Sequence, residues 1–372
     1  MNVRVLADAL RGRGRQGWLG LSPTATHRTL RGRALIAGVV ATCLLSGAGC
    51  SSVTTASAIT APPATDRFTA YVGPGNPSGL TAVQSVLGNR ATLASDYFDD
   101  RSWSGIDNDK WDLRRWAGSG YRMVWGVPLL PATRGVSLAV GATGAYDKHF
   151  VLLAKRLVAA NMGNAILRLG WEFNQKSYPW YAAGQPKSFV AYWQHVVSAM
   201  RSVHGSHFEF MWNPDRGDNG AGDIAMGNFA NYYPGSGYVD IVGLDVYDSA
   251  WKSYPGAPAE FDSVVAQQWG LNWLAQFGTS EQKPVAIPEL GLGLGPSAPG
   301  SGPVVGSGAV GGGDDPVFIS DMVNWSTTHG AVEVGFWDEG PSGMFDGRYP
   351  NTFAAVKSAL ASSTAGSPPT PG

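Results

Sequence analysis

Cysteine is almost missing from this chain: Cys43 and Cys50 are the two among 372 residues. A fold built after them has no internal disulfide and must depend on a large apolar core. Charge is sparse too, at 15% of residues with a formal net charge of -1, which excludes a general attraction to nucleic acid or anionic membrane. The six histidines show no zinc-ligand spacing and the acidic residues no calcium-loop pattern, so no metal is expected. Gly291-Leu292-Gly293-Leu294-Gly295 lacks the lysine of a phosphate loop and the context of a dinucleotide fold, and nothing calls for an organic cofactor.

What the chain does have is apolar and aromatic mass, with 44% hydrophobic residues and 14 Trp, 13 Tyr and 14 Phe. Part of that aromatic set must fill the core, and part is available to stack on flat sugar faces. Seven arginines (Arg4, Arg11, Arg13, Arg15, Arg28, Arg31 and Arg33) precede the apolar run Ala34 to Gly49, which is shorter than an ordinary bilayer span. Residues 1–50 therefore read as an export signal. Gly47-Ala48-Gly49-Cys50-Ser51-Ser52 resembles a bacterial lipoprotein cleavage box, with Gly47 where Leu is usual. Lipidation at Cys50, ordinary cleavage near Ala56-Ser57-Ala58 and an uncleaved anchor all stay open; each places the following chain outside the cytoplasm, lipid-anchored to the cell membrane or secreted. Residues 51–66, rich in Ser, Thr, Ala and Pro, read as a tether, 67–361 as the folded domain and 362–372 as a tail.

Between tether and tail, strand-like and helix-like segments alternate. Candidate strands are Phe68–Val72, Thr92–Phe98, Arg122–Val127, Ala165–Leu169, Phe208–Trp212, Val239–Val246, Val285–Pro288 and Val332–Trp337. Their continuous apolar character suits parallel strands covered by helices. Candidate helices are Leu80–Leu87, Asp107–Ala117, Tyr146–Ala160, Pro186–Val203, Ile224–Asn231, Phe261–Phe277, Pro316–Thr328 and Thr352–Leu360. In the fourth, Phe189, Trp193, Val196, Met200 and Val203 share one face and Pro186 suits the first turn. Eight such pairs predict an α/β fold of the TIM (β/α)8 barrel type. Gly291 to Gly313 is long for a βα loop and ends at Asp314-Asp315, which suits the cap of the next helix.

Two glutamates close apolar runs: Glu172 in Ile166-Leu167-Arg168-Leu169-Gly170-Trp171-Glu172-Phe173-Asn174, and Glu289 in Val285-Ala286-Ile287-Pro288-Glu289-Leu290-Gly291. At the ends of the fourth and seventh barrel strands both converge on the upper mouth. Cleaving a glycosidic bond with retention needs one carboxylate to attack the anomeric carbon and one carboxylic acid to protonate the leaving oxygen, with carboxyl groups roughly 5–5.5 Å apart. Tyr247 is placed to hydrogen-bond Glu289 and Arg168 to orient a carboxylate; the competing roles are a rim plug and a structural ion pair. Trp337, Trp180 and Tyr181 are candidate sugar platforms, and Asn174 and Asn213 candidate hydroxyl partners, against packing and loop-tying roles. Asp215 offers a further polar contact, or belongs to a solvated loop with Arg216.

These motifs resemble glycoside hydrolase family 26. Arg168, Glu172 and Asn174 match the Arg, Glu and Asn of its acid/base strand, with Trp171 where that family commonly has His. Tyr233-Pro234-Gly235 through Val246-Tyr247-Asp248, Pro284 through Gly291, and Gly335-Phe336-Trp337-Asp338 are similar to its later strand motifs. The resemblance implies that Glu172 is the acid/base, Glu289 the nucleophile, and that the chain is a retaining endo-β-glycosidase of a polysaccharide such as β-mannan, with β-glucan, xylan and envelope polysaccharides open. An indole at Trp171 removes an accepting nitrogen and adds apolar surface that touches the substrate region. Two rivals stand beside hydrolysis: transglycosylation, and a non-catalytic carbohydrate-binding or envelope protein. A monomer acting on a polysaccharide or oligosaccharide is expected, with no nucleic-acid partner and a membrane tether through Cys50 if it is lipidated.

Overall fold

The computed structural model describes residues 67–88, 91–217, 226–250, 256–293 and 310–365. The expected signal, Cys50, tether, most of the 291–313 loop and the end of the tail lie outside these. The strands are β1 (Phe68–Tyr71), β2 (Leu93–Tyr97), β3 (Arg122–Val127), β4 (Ile166–Leu169), β5 (Glu209–Trp212), β6 (Ile241–Gly243), β7 (Val246–Ala250), β8 (Val285–Leu292), β9 (Val310–Gly311) and β10 (Val334–Trp337). Parallel pairing runs β1-β10-β8-β6-β5-β4-β3-β2, a nearly closed eight-stranded TIM barrel. The seam between β1 and β2 is bridged by a side chain, the Thr69 hydroxyl donating to the Leu93 carbonyl at 2.8 Å.

Alternation along the strands makes two interiors. Leu93, Val124, Ile166, Met211, Ile241 and Ala286 pack into one buried apolar layer in the lower barrel. Residues facing outward, such as Trp125, Leu167 and Ile287, join the larger layer between sheet and helices. Helix Pro186–Arg201 shows why: Phe189, Trp193, Val196 and Met200 are fully buried, and the Trp193 indole donates to the Leu169 carbonyl at 3.2 Å. Helix Pro316–Thr328 starts where expected because the Asp315 carboxylate accepts from the amides of Val317 and Phe318 at 3.1 and 3.0 Å. Asp314 serves the following helix instead, accepting from the Thr352 amide at 2.7 Å.

Several expected elements are divided. The candidate strand Val239–Val246 becomes β6 and β7, because the chain leaves the sheet at Leu244 while Asp245 bridges to Asp215. The candidate helix Asp107–Ala117 shortens to Lys110–Trp116, begun by Asp109, whose carboxylate accepts from two amides, and a separate short helix, Trp103–Asp107, ends where the candidate was to begin. Phe261–Phe277 is also two, Ala257–Ala266 and Leu271–Glu281, with Trp269 at φ 59° and Gly270 between them. Of Ile224–Asn231 the described part holds a short 3-10 turn, Phe229–Tyr232.

Candidate active site

Three backbone features aim the acidic side chains. After β4 the chain turns sharply and Glu172 takes φ 48°, a left-handed conformation uncommon for a residue with a Cβ. Its amide is held by the Asn213 carbonyl at 2.9 Å. In β8, Ile287 pairs with Val334 but Leu290 pairs with Phe336, so β8 carries one residue more than β10 over that step. This bulge falls at Pro288-Glu289 and turns Glu289 inward; proline, having no N–H, suits a place where a ladder bond is missing. Finally, two glycines let tyrosine rings lie on the strand backbone. A Cβ at Gly126 would stand 2.2 Å from Tyr97 Cδ1, and one at Gly291 would stand 2.2 Å from Tyr247 Cε1.

The result is one connected polar layer above the apolar one. Glu289 Oε1 accepts from Tyr97 Oη at 2.7 Å and from Arg168 Nη2 at 2.9 Å, and Oε2 accepts from Tyr247 Oη at 2.7 Å. Arg168 also donates to Asp245 at 2.7 Å, to Tyr97 Oη at 2.7 Å and to Asn213 at 3.2 Å, while the Asn213 amide donates to Asp245 at 2.7 Å. Arg168 and Asp245 are fully buried. A buried ion pair of this kind contributes little net stability; its fixed geometry is what serves the site.

Carboxylate oxygens of Glu172, Asp245 and Glu289 all lie within 4.8 Å of one another. The cation among them is the Arg168 guanidinium, which already bonds two of the three. Burial, followed by the charges of Glu289, Asp215 and Asp245, holds the Glu172 carboxyl well above the usual glutamate range, with Arg168 pulling the other way. Glu172 is thereby biased toward its protonated form, whereas Glu289, ringed by three donors, is arranged as an acceptor.

The other candidates fall into two groups. Trp337 is half-buried at the mouth, its ring 4.7 Å from Tyr71, 6.0 Å from Tyr97 and 6.4 Å from Tyr247. Trp171, 7% exposed, reaches the same space 5.2 Å from Tyr97. Trp180 is fully buried behind it, its indole donating to the Trp171 carbonyl at 2.7 Å, and Tyr181 is half-buried against the core. Asn174 is also fully buried and ties loops, exchanging bonds with the Asp215 backbone at 2.8 and 2.9 Å. The solvated-loop reading of Asp215-Arg216 does not hold: Asp215 is 3% exposed, and Arg216 is fully buried, paired with Glu260 at 2.9 Å and bonded to the Ser249 carbonyl. Tyr97 and Asp245 do not stand out in the sequence. Tyr97 ends Leu93-Ala94-Ser95-Asp96-Tyr97 in phase with the inward positions, which is the one signal it offers.

Residues 153–282 match the model of glycosyl hydrolase family 26. A Cellulomonas fimi endo-beta-1,4-mannanase double mutant shares the fold at TM-score 0.52 and 18% identity, over 76% of this chain and 66% of that one. The chain has a family 26-like glycoside hydrolase fold. A GH26 beta-mannanase from Bacteroides ovatus superposes at TM-score 0.53 and 15% identity, over 80% of this chain and 89% of that one. The Ignisphaera aggregans GH53 catalytic domain does so at 0.51 and 12%, over 80% and 96%. No curated protein matches the sequence. Fold and family match together support a carbohydrate-active hydrolase for this family 26-like chain.

Proposed function

We propose that the chain hydrolyses a β-linked polysaccharide with retention of anomeric configuration, Glu289 attacking the anomeric carbon and Glu172 serving as acid and then base. The observation that carries this reading is the pair itself: two buried glutamates from different strands with oxygens within 4.8 Å, one ringed by donors and the other pushed toward its protonated form. That division of states is what a double displacement uses. Tyr97, Tyr247 and Arg168 hold both oxygens of Glu289 so that attack needs no reorientation. Protonated Glu172 gives its proton to the leaving oxygen, and as a carboxylate it then deprotonates the water that frees the sugar.

The sugar ring between the two carboxyls rests on Trp337, whose ring is flanked by Tyr71, Tyr97 and Tyr247. A β-1,4-linked mannan is the substrate favoured by the mannanases that share the fold. Trp171 changes the wall beside the cleavage point to one of larger apolar area, so the substrate preference is expected to differ in detail. The deciding experiment is digestion of a panel of mannan, glucan, xylan and galactan, followed by NMR of the fresh reducing ends. β-Anomers appearing first on a cut mannan support the reading. Initial α-anomers, or no cleavage by the folded protein of any glycan in the panel, reject it.

A further inference from the structure

Among the described residues Trp111, 51% exposed, is the one Trp, Tyr or Phe on the open surface. A lone apolar side chain in water is ordinary, but this one is held in place. The edge of its ring rests on Gly75, where φ is 58° and a Cβ would stand 2.4 Å from Trp111 Cζ3 and 2.7 Å from Cη2. Gly75 is fixed in turn, its amide donating to Asp96 Oδ2 at 2.8 Å and its carbonyl accepting from Arg115 Nε at 2.8 Å. Arg115, one turn along the same helix Lys110–Trp116, sets its guanidinium 5.6 Å from the centre of the Trp111 ring. Backbone and cation thus brace the indole while about half of its surface faces water.

Its place is the rim of the mouth. Helix Lys110–Trp116 follows β2, and Gly75 lies four residues beyond Tyr71, the last of β1, so both belong to the loops above the C-terminal strand ends. Tyr71 packs on Trp337 at 4.7 Å. Between them Gly73 backs on the half-buried Glu339, whose Oε1 would lie 3.7 Å from a Cβ there. Four residues of chain span at most about 14 Å, which puts Trp337 and Trp111 within reach of one short oligosaccharide. We propose that Trp111 is a distal sugar platform: a glycan whose scissile ring lies on Trp337 continues over the β1 loop and stacks a further sugar on the exposed indole. This rests on the glycosidase reading and narrows its substrate to a chain longer than a disaccharide. A braced ring gives up little freedom when a sugar stacks on it. The exposed Arg115 brings N–H donors beside that ring, and Glu339 brings acceptors between the two platforms. Contact so far from the reacting bond holds the chain in register over the carboxyl pair.

The test is calorimetric titration of the full chain, carrying Glu289→Gln to prevent turnover, with the disaccharide and the hexasaccharide of mannan, glucan and xylan. A hexasaccharide should bind more tightly than its disaccharide. Adding Trp111→Ala should shrink that ratio by on the order of 10-fold, and Trp111→Phe should restore most of it. The indole N–H NMR signal that is lost in Trp111→Phe should also move when hexasaccharide is added to the parent, and this decides the matter if Trp111→Ala does not fold. A ratio unchanged in folded Trp111→Ala, an indole signal that stays in place, or no binding of any hexasaccharide overturns the proposal. The two readings fail separately. Cleavage by the wild-type chain with a ratio indifferent to Trp111 removes the platform and keeps the glycosidase. A wild-type chain that cuts nothing removes the glycosidase, while a ratio that falls in Trp111→Ala still establishes the platform.

Discussion

Two residues along β4 separate Ile166, packed among Leu93, Val124, Met211, Ile241 and Ala286, from Arg168, bonded to Tyr97, Asn213, Asp245 and Glu289. Strand neighbours follow the same step, from Met211 to Asn213 on β5 and the turn after it. The lower interior is held by apolar contact, which has no preferred direction and tolerates similar shapes. The upper interior is held by directed bonds, each of which has a particular partner. One barrel thus separates what keeps it folded from what it does.

The comparison is broken most severely by Glu289→Gln. Losing the attacking oxygen should lower glycan release by on the order of 10³-fold or more, with a thermal melt close to wild type; near-normal turnover would refute the assignment. Next comes Glu333, which faces the interior fully buried, with neither carboxylate oxygen hydrogen-bonded. Burial pushes it up to about 8. An acid raised in the folded state binds its proton more tightly there than in the unfolded chain, so stability falls as pH climbs from about 4.5 to about 8 and levels beyond. On the order of 5 kcal/mol is at stake, and Glu333→Gln should flatten the dependence of urea midpoint on pH across that window. An unchanged slope would mean that Glu333 is solvated. Smallest is Ile166→Ala in the apolar layer, which should cost about 2–5 kcal/mol of stability while leaving the rate per folded molecule nearly intact. A fall in rate larger than in stability would show that the two interiors are coupled.

Much of this separation was legible in the chain. β3 and helix Pro316–Thr328 have the expected bounds because their signals are local: an apolar run between turn residues, and Asp followed by Pro. Glu172, Glu289 and Tyr247 stand out because each follows an apolar run, and Arg168 as a charge inside one; the structure brings all four together. What was not legible is whatever depends on a distant partner. Arg216 is a buried residue only because Glu260 lies 44 residues later, and Tyr97 meets Glu289 across 192 residues. The inward turn of Glu289 needs a mismatch between two strands, and neither strand's sequence records it alone. Asn174 and Trp180 face two uses that their residue types permit equally, and burial decides for packing and tying.

The seam between β1 and β2 makes this barrel unequal around its ring. Its two edges meet through the Thr69 hydroxyl below and, above, through the rings of Tyr71 and Tyr97, 5.0 Å apart. Trp337 touches both rings from the neighbouring strand. In the proposed function a sugar resting on that trio spans the one break in the ladder among the described barrel strands, and so acts as a clasp. Occupancy of the mouth is then expected to slow amide exchange in β1 and β2, three and two strands from β4 around the ring.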